Sequence, residues 1–205
     1  MLLDELMPAY DFREVHAVTI HATPERIWRA LHEVTPADVP GVKLLFGIRM
    51  LPTRLRGRRA ARFADERPFL AQMQSGGFTL LGEITEQELV VGVIGQFWRP
   101  LGATFKRIDG AHAFILWNQP NYAKSAMNFS LHEVSNGWRL RTETRVATPD
   151  RATRRKFGVY WRLIAPGSAL IRRLWLRAVG RRAERETAGT VYEHRVSRAG
   201  GAGSR

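Results

Sequence analysis

The stretch from Asp150 to Glu186 constrains this chain more than any other. Phe157, Tyr160, Trp161 and Ile164 recur at spacings of three and four, and after Pro166-Gly167-Ser168 the pattern resumes with Leu170, Ile171, Leu174, Trp175 and Ala178. Such spacing places these side chains on one stripe of a helix, with arginines filling the other side. The stripe is expected to pack on the rest of the fold, leaving Arg172, Arg173, Arg177, Arg181 and Arg182 in solvent. Pro166 removes an amide donor and crowds the preceding turn, which predicts a kink or break near Ile164, with the second half of the helix the more mobile. A long amphipathic helix that follows a run of strands covers the open face of their sheet. The prediction is an α+β fold: a curved antiparallel sheet closed by a long C-terminal helix, with an internal cavity between them.

Upstream, Phe12 to Ala22 alternates as a strand, with Val18, Ile20 and Ala22 on one side. Thr23-Pro24 then opens a helix whose buried stripe is Ile27, Trp28 and Leu31. Val42 to Leu55 reads as a second helix, Arg56 to Asp65 as a charged mobile loop and Pro68 to Gln74 as a helical turn. Strands are expected over Phe78 to Thr85, Glu88 to Trp98, His112 to Gln119, Lys124 to Val134 and Trp138 to Thr148. Ser135-Asn136-Gly137 marks a hairpin between the last two, because such turns need a positive φ. Consecutive strands that pair with one another give an antiparallel meander. One domain over residues 1–190 is expected, followed by a flexible tail over 191–205.

Cysteine is absent, which excludes disulfides, thiolate metal sites and a cysteine nucleophile. The acidic start, Met1 to Glu5, lacks the basic flank of a secretory signal, and the apolar runs are too short to span a bilayer; a cytoplasmic protein is expected. The net charge is +13, and from Asp150 to Arg205 fourteen Lys and Arg face four Asp and Glu. A basic amphipathic element of this kind suits weak contact with an anionic membrane, or simply a solvated helix face. Nucleic acid is not an expected partner, since no reading motif accompanies the charge.

Chemistry-bearing patterns are sparse. The six histidines show no metal-ligand spacing, no phosphate-binding glycine loop or nucleophile elbow occurs, and no metal or cofactor is expected. On the last strand Trp138, Leu140, Thr142, Thr144 and Val146 share one face, and Arg139, Arg141, Glu143 and Arg145 the other. Glu143 between two arginines reads as part of a solvated charge ladder. His16, His112 and His132 alternate with apolar residues on expected strands, so that two of them could meet across the sheet.

Three segments resemble the START-like superfamily, which includes the polyketide cyclases and dehydratases (SRPBCC proteins), lipid-transfer domains and birch-pollen allergens. Val18 to Leu31, reading VTIHATPERIWRAL, is similar to the opening strand and helix of that superfamily. Thr142-Glu143-Thr144-Arg145-Val146 is similar to its last strand, and Tyr160 to Ser168, reading YWRLIAPGS, to the closing helix of a bacterial branch. The likeness covers residues 12 to 186. It implies a helix-grip fold with a cavity for an apolar or amphipathic small molecule, lipid-like or polyketide-like. Trp117, Phe129, Thr142, Thr144, Tyr160 and Trp161 form the expected wall, since aromatic surfaces with few polar groups suit such ligands. Members share no catalytic set, so no catalytic residue is carried over and the reading leans to a binding module rather than an enzyme. A cyclase or dehydratase in the same pocket is the alternative, and a peripheral membrane protein using the basic helix is a third. Oligomeric state stays open.

Overall fold

The computed structural model describes residues 1–39, 66–99 and 104–185, with the backbone of the last helix continuing to Gly200. A short helix α1 (Leu2–Leu6) precedes strand β1 (Phe12–Ile20) and helix α2 (Pro24–Glu33). Helix α3 (Phe69–Ser75) leads into β2 (Thr79–Ile84) and β3 (Glu88–Gly95). The short strand β4 (Phe105–Lys106) and helix α4 (Gly110–Leu116) come next. Strands β5 (Ala123–Val134) and β6 (Gly137–Ala147) and the long helix α5 (Arg151–Gly200) complete the chain. The strands form one curved antiparallel sheet in the order β1-β6-β5-β3-β2, with β4 also pairing with β3. This is the helix-grip arrangement, and the first strand closes against the last. The expected helix over Val42 to Leu55 and loop over Arg56 to Asp65 lie outside the described residues, as do the side chains of the expected tail.

Asp150 starts α5 by accepting from the backbone N–H and hydroxyl of Thr153, both at 2.7 Å, which satisfies a donor the helix leaves free. Those hydrogen bonds hold its carboxyl below the usual range. The β5–β6 hairpin turns over two residues, since Val134 pairs with Gly137, and Gly137 supplies the positive φ of +136°. A Cβ there would stand 2.6 Å from the Ile20 carbonyl oxygen, so only glycine lets β1 approach.

Helices α2 and α5 close one face of the sheet. Ile27 and Leu31 of α2 meet Trp175, Leu176, Val179 and Ala183 of α5 over Leu89, Val91, Phe129 and Leu140. The opposite face is covered too, by α1 and α4: Leu3, Leu6, Met7 and Phe114 pack on Leu81, Val90, Ile94 and Ala126. Every residue of β3 is therefore buried, as expected of a strand covered on both sides. The segment His112 to Gln119 is not a strand. Gly110 to Leu116 is a helix with Phe114 as its one fully buried residue, because a short apolar run does not distinguish a one-sided helix from alternation. This places His112 off the sheet, while His16 contacts Glu14 and His132 contacts Ser130.

Glu143 is not a solvated ladder rung; it is 1% exposed. Arg13 and Arg145 each donate to its Oε1 at 2.7 Å, and Arg141 donates to Oε2. Burial pushes this carboxyl up, but the three guanidinium hydrogen bonds outweigh burial and lower its pKa to about 2. The missing piece in the sequence reading is α1, which covers this face: Arg145 also donates to the Met7 carbonyl at 2.9 Å and to Asp4 at 2.6 Å. Buried Glu88 accepts from the backbone N–H groups of Leu2 at 2.6 Å and Leu3 at 3.3 Å. Asn128 then links Glu88 to β6, donating to the Glu88 carboxylate and accepting from the backbone N–H of Glu143.

Helix α5 continues through Pro166 without a break. Burial is densest beyond the proline, at Trp175, Leu176, Ala178, Val179 and Ala183, so the second half is the more firmly tied one. Leu170 is the member of the expected stripe that the structure leaves exposed. No helix among the described residues is long and apolar enough to cross a membrane.

Candidate ligand cavity

A cavity of about 270 Å³ lies between α5 and the sheet. Its floor is Val93 of β3, Ser125 and Met127 of β5, and Thr144 and Val146 of β6. Its roof is one face of α5, from Phe157, Tyr160 and Trp161 through Ile164, Ser168 and Ile171 to Arg172 and Trp175. Phe69 and Met73 of α3, with Phe78 and Phe97, complete its lining. Aromatic rings hold one another in place around it: Phe157 stacks on Trp161 at 5.7 Å, Phe12 lies 5.0 Å from Phe157, and Phe69 lies 4.8 Å from Trp175. The space under α5 is thus predominantly apolar and partly open to solvent.

Among the described residues, one charged side chain lines this space. Arg172, expected in solvent, points inward: its Nη1 donates to the Thr144 hydroxyl and stands 3.6 Å from Glu14 Oε2. The side chain is 14% exposed. Glu14 is directly opposite Thr144 in the β1–β6 pairing, which brings carboxylate and hydroxyl to the same side of the sheet beneath the helix. The other Glu14 oxygen contacts His16 Nε2 at 2.8 Å. Burial lowers the Arg172 pKa while the Glu14 carboxylate acts to raise it; a guanidinium remains a cation in such a setting. Trp175 Nε1 is buried without a hydrogen-bond partner, and Glu14 Oε2, also without a hydrogen bond, is held by the ion pair with Arg172. An unmade hydrogen bond costs about 1–3 kcal/mol relative to a satisfied group, so Trp175 leaves the cavity lining with an unspent donor.

Of the expected wall, Thr144, Tyr160 and Trp161 come together here. Phe129 lies deeper in the core, with its ring centre 4.9 Å from that of Trp175. Thr142 is committed to the backbone, donating to the Asn128 carbonyl at 2.8 Å. Trp117 is elsewhere: because its segment is a helix end and not a strand, it packs on Tyr122 on the α1 and α4 side. There it borders a separate, more polar cavity with Tyr122 and Lys124, whose amine burial lowers in pKa. The expected wall lacks Arg172 and Trp175, which line the cavity, and Glu14, which pairs with Arg172. A signal for Arg172 was present, since it follows Trp161 by three helical turns and so shares its face. Its charge alone points to solvent.

No family model matches the chain, and no curated protein matches it. Among solved structures it is similar to a protein from Mesorhizobium loti at 15% identity and a TM-score of 0.38, covering 85% of this chain and 98% of that one. A protein from Chromobacterium violaceum is similar at 13% identity and a TM-score of 0.35, over 85% and 99% of the two chains. The Zhui aromatase/cyclase from a Streptomyces species is similar at 14% identity and a TM-score of 0.28, over 86% and 95%. At these values the likeness carries no argument about ligand or activity, and the helix-grip assignment rests on the strand order and the closing helix described above.

Proposed function

We propose that the protein binds a small amphipathic molecule, lipid-like or polyketide-like, in the cavity between α5 and the sheet. Its apolar body lies along Phe157, Tyr160, Trp161 and Met127, and an oxygen-bearing end, carboxyl or hydroxyl, meets Arg172. The observation that carries this reading is a guanidinium, its side chain 14% exposed, lining an otherwise apolar cavity that is also lined by Trp175, whose indole N–H has no hydrogen-bond partner. An oxygen of the ligand accepts from Arg172 and Trp175. Hydrogen bonds to a charged group contribute about 1.5–3 kcal/mol, enough to orient a ligand that apolar contact alone leaves free to turn.

Titration of the full-length protein with a fluorescent apolar dye, followed by displacement with a fatty acid, the matching fatty alcohol and the matching alkane, tests this. Acid and alcohol displace the dye more strongly than alkane. Arg172→Leu weakens the acid by about tenfold and leaves dye affinity intact. Ile171→Trp, which fills the cavity, abolishes dye binding. Equal displacement by all three compounds in both wild type and Arg172→Leu would remove the oriented-ligand reading, and dye binding that survives Ile171→Trp would remove the cavity as the site.

A further inference from the structure

Helix α5 carries a second apolar stripe on the side away from the sheet. Val159, Leu163 and Leu170 are 70%, 82% and 44% exposed, and Pro166 between them is exposed as well. Their spacings of four, three and four place all four on one face. At about 100° per residue that face is half a turn round from Phe157, Ile164 and Trp175, which line the cavity. The same helix holds ten Arg and Lys and no Asp or Glu from Arg151 to Ala183. Some of this charge is committed: Arg154 pairs with Asp11, Arg172 points inward to Glu14, and Arg182 pairs with Glu33. Arg155, Arg162, Arg173 and Arg177 are exposed, with no acidic partner among the described residues, and the first three border the apolar stripe.

We propose that this outer face of α5 docks on a lipid bilayer rich in anionic headgroups. Val159, Leu163 and Leu170 enter the boundary of the acyl region, and Arg155, Arg162 and Arg173 pair with lipid phosphates. Charge complementarity selects this occupant. A second copy of α5 laid against the stripe would set these arginines against one another, and nucleic acid would satisfy the arginines while leaving three large apolar side chains uncovered. The inference does not depend on which ligand the cavity holds.

Flotation of the full-length protein with vesicles of phosphatidylcholine alone, and of phosphatidylcholine with about one-third phosphatidylglycerol, tests it. Binding is expected to the anionic vesicles only. Leu163→Asp lowers that affinity by at least about tenfold, because one inserted side chain is lost and a like charge is added. Replacing Arg155, Arg162 and Arg173 together by Ser removes the preference for anionic lipid. Far-UV circular dichroism and dye binding in the cavity stay at wild-type values in both variants, which separates a lost surface from a lost fold. No binding to either vesicle, equal binding to both, or binding indifferent to Leu163→Asp overturns the proposal. Light scattering that shows a wild-type dimer made monomeric by Leu163→Asp also overturns it, and assigns the face to a second copy.

Discussion

Glu143 and Arg172 are the two residues whose charge gave least guidance to their place. Each sits in a basic stretch that reads as surface, and each is buried by an element distant in sequence, α1 over Glu143 and the β1–β6 pairing beneath Arg172. A pattern on one segment reports which way a side chain points, not whether something covers it. For Glu143 the consequence is measurable. Its folded pKa of about 2 lies below the ordinary 4.5, so its stabilising contribution is present above about pH 4.5 and is lost as pH falls toward 2. The full contribution is on the order of 3 kcal/mol, of which about 2 kcal/mol is gone by pH 3. Urea unfolding at pH 7 and pH 3 should show that loss in wild type and not in Glu143→Gln, whose side chain does not titrate. An identical pH dependence in both proteins would mean that the three guanidinium contacts are not formed in solution.

At the scale of elements, most of the fold was legible because helix and strand periods survive in an uninterrupted run. The stripe of α5, the stripe of α2 and the strands β1, β2, β3, β5 and β6 follow the expected ranges closely. What failed were short segments. Helix α1 has five residues and α4 has seven, too few for a period of 3.6 to declare itself against alternation. The other departure is Pro166. The chain around it stays helical because packing of the apolar face on both sides of the proline outweighs the lost N–H and the steric crowding at the Arg162 carbonyl. Since Pro166 is exposed and fills no space in the core, Pro166→Ala restores a helical hydrogen bond without a packing loss. A gain of about 1–3 kcal/mol is expected, which raises Tm by several degrees in a scanning calorimeter. A lowered Tm would show that the proline is favoured by the local bend it permits. Hydrogen exchange should also be slower across Trp175 to Ala183 than across Arg154 to Trp161, following the distribution of buried side chains.

The whole molecule is a sheet with two covered faces, and the two coverings differ in character. On the α2 and α5 side the contacts are apolar and surround a cavity; on the α1 and α4 side a polar network of Glu88, Asn128, Glu143 and Arg145 lies under the chain start. The first residues are therefore part of the core. Leu3→Ala should cost about 2–5 kcal/mol, as for other fully buried leucines, and chemical denaturation should show the midpoint fall with no change in slope. An unchanged midpoint would mean that α1 is detached in solution. On the other side, one stretch of α5 faces inward to the cavity and outward along Val159, Leu163 and Leu170. Two occupants of opposite sides of one helix cannot be thermodynamically indifferent to each other if the affinity of both depends on where the helix sits. Whatever factor a bilayer imposes on ligand affinity, the ligand must impose on bilayer affinity, with the same size and sign. A surface that loosens the grip on the ligand is then a surface that the emptied protein holds more tightly.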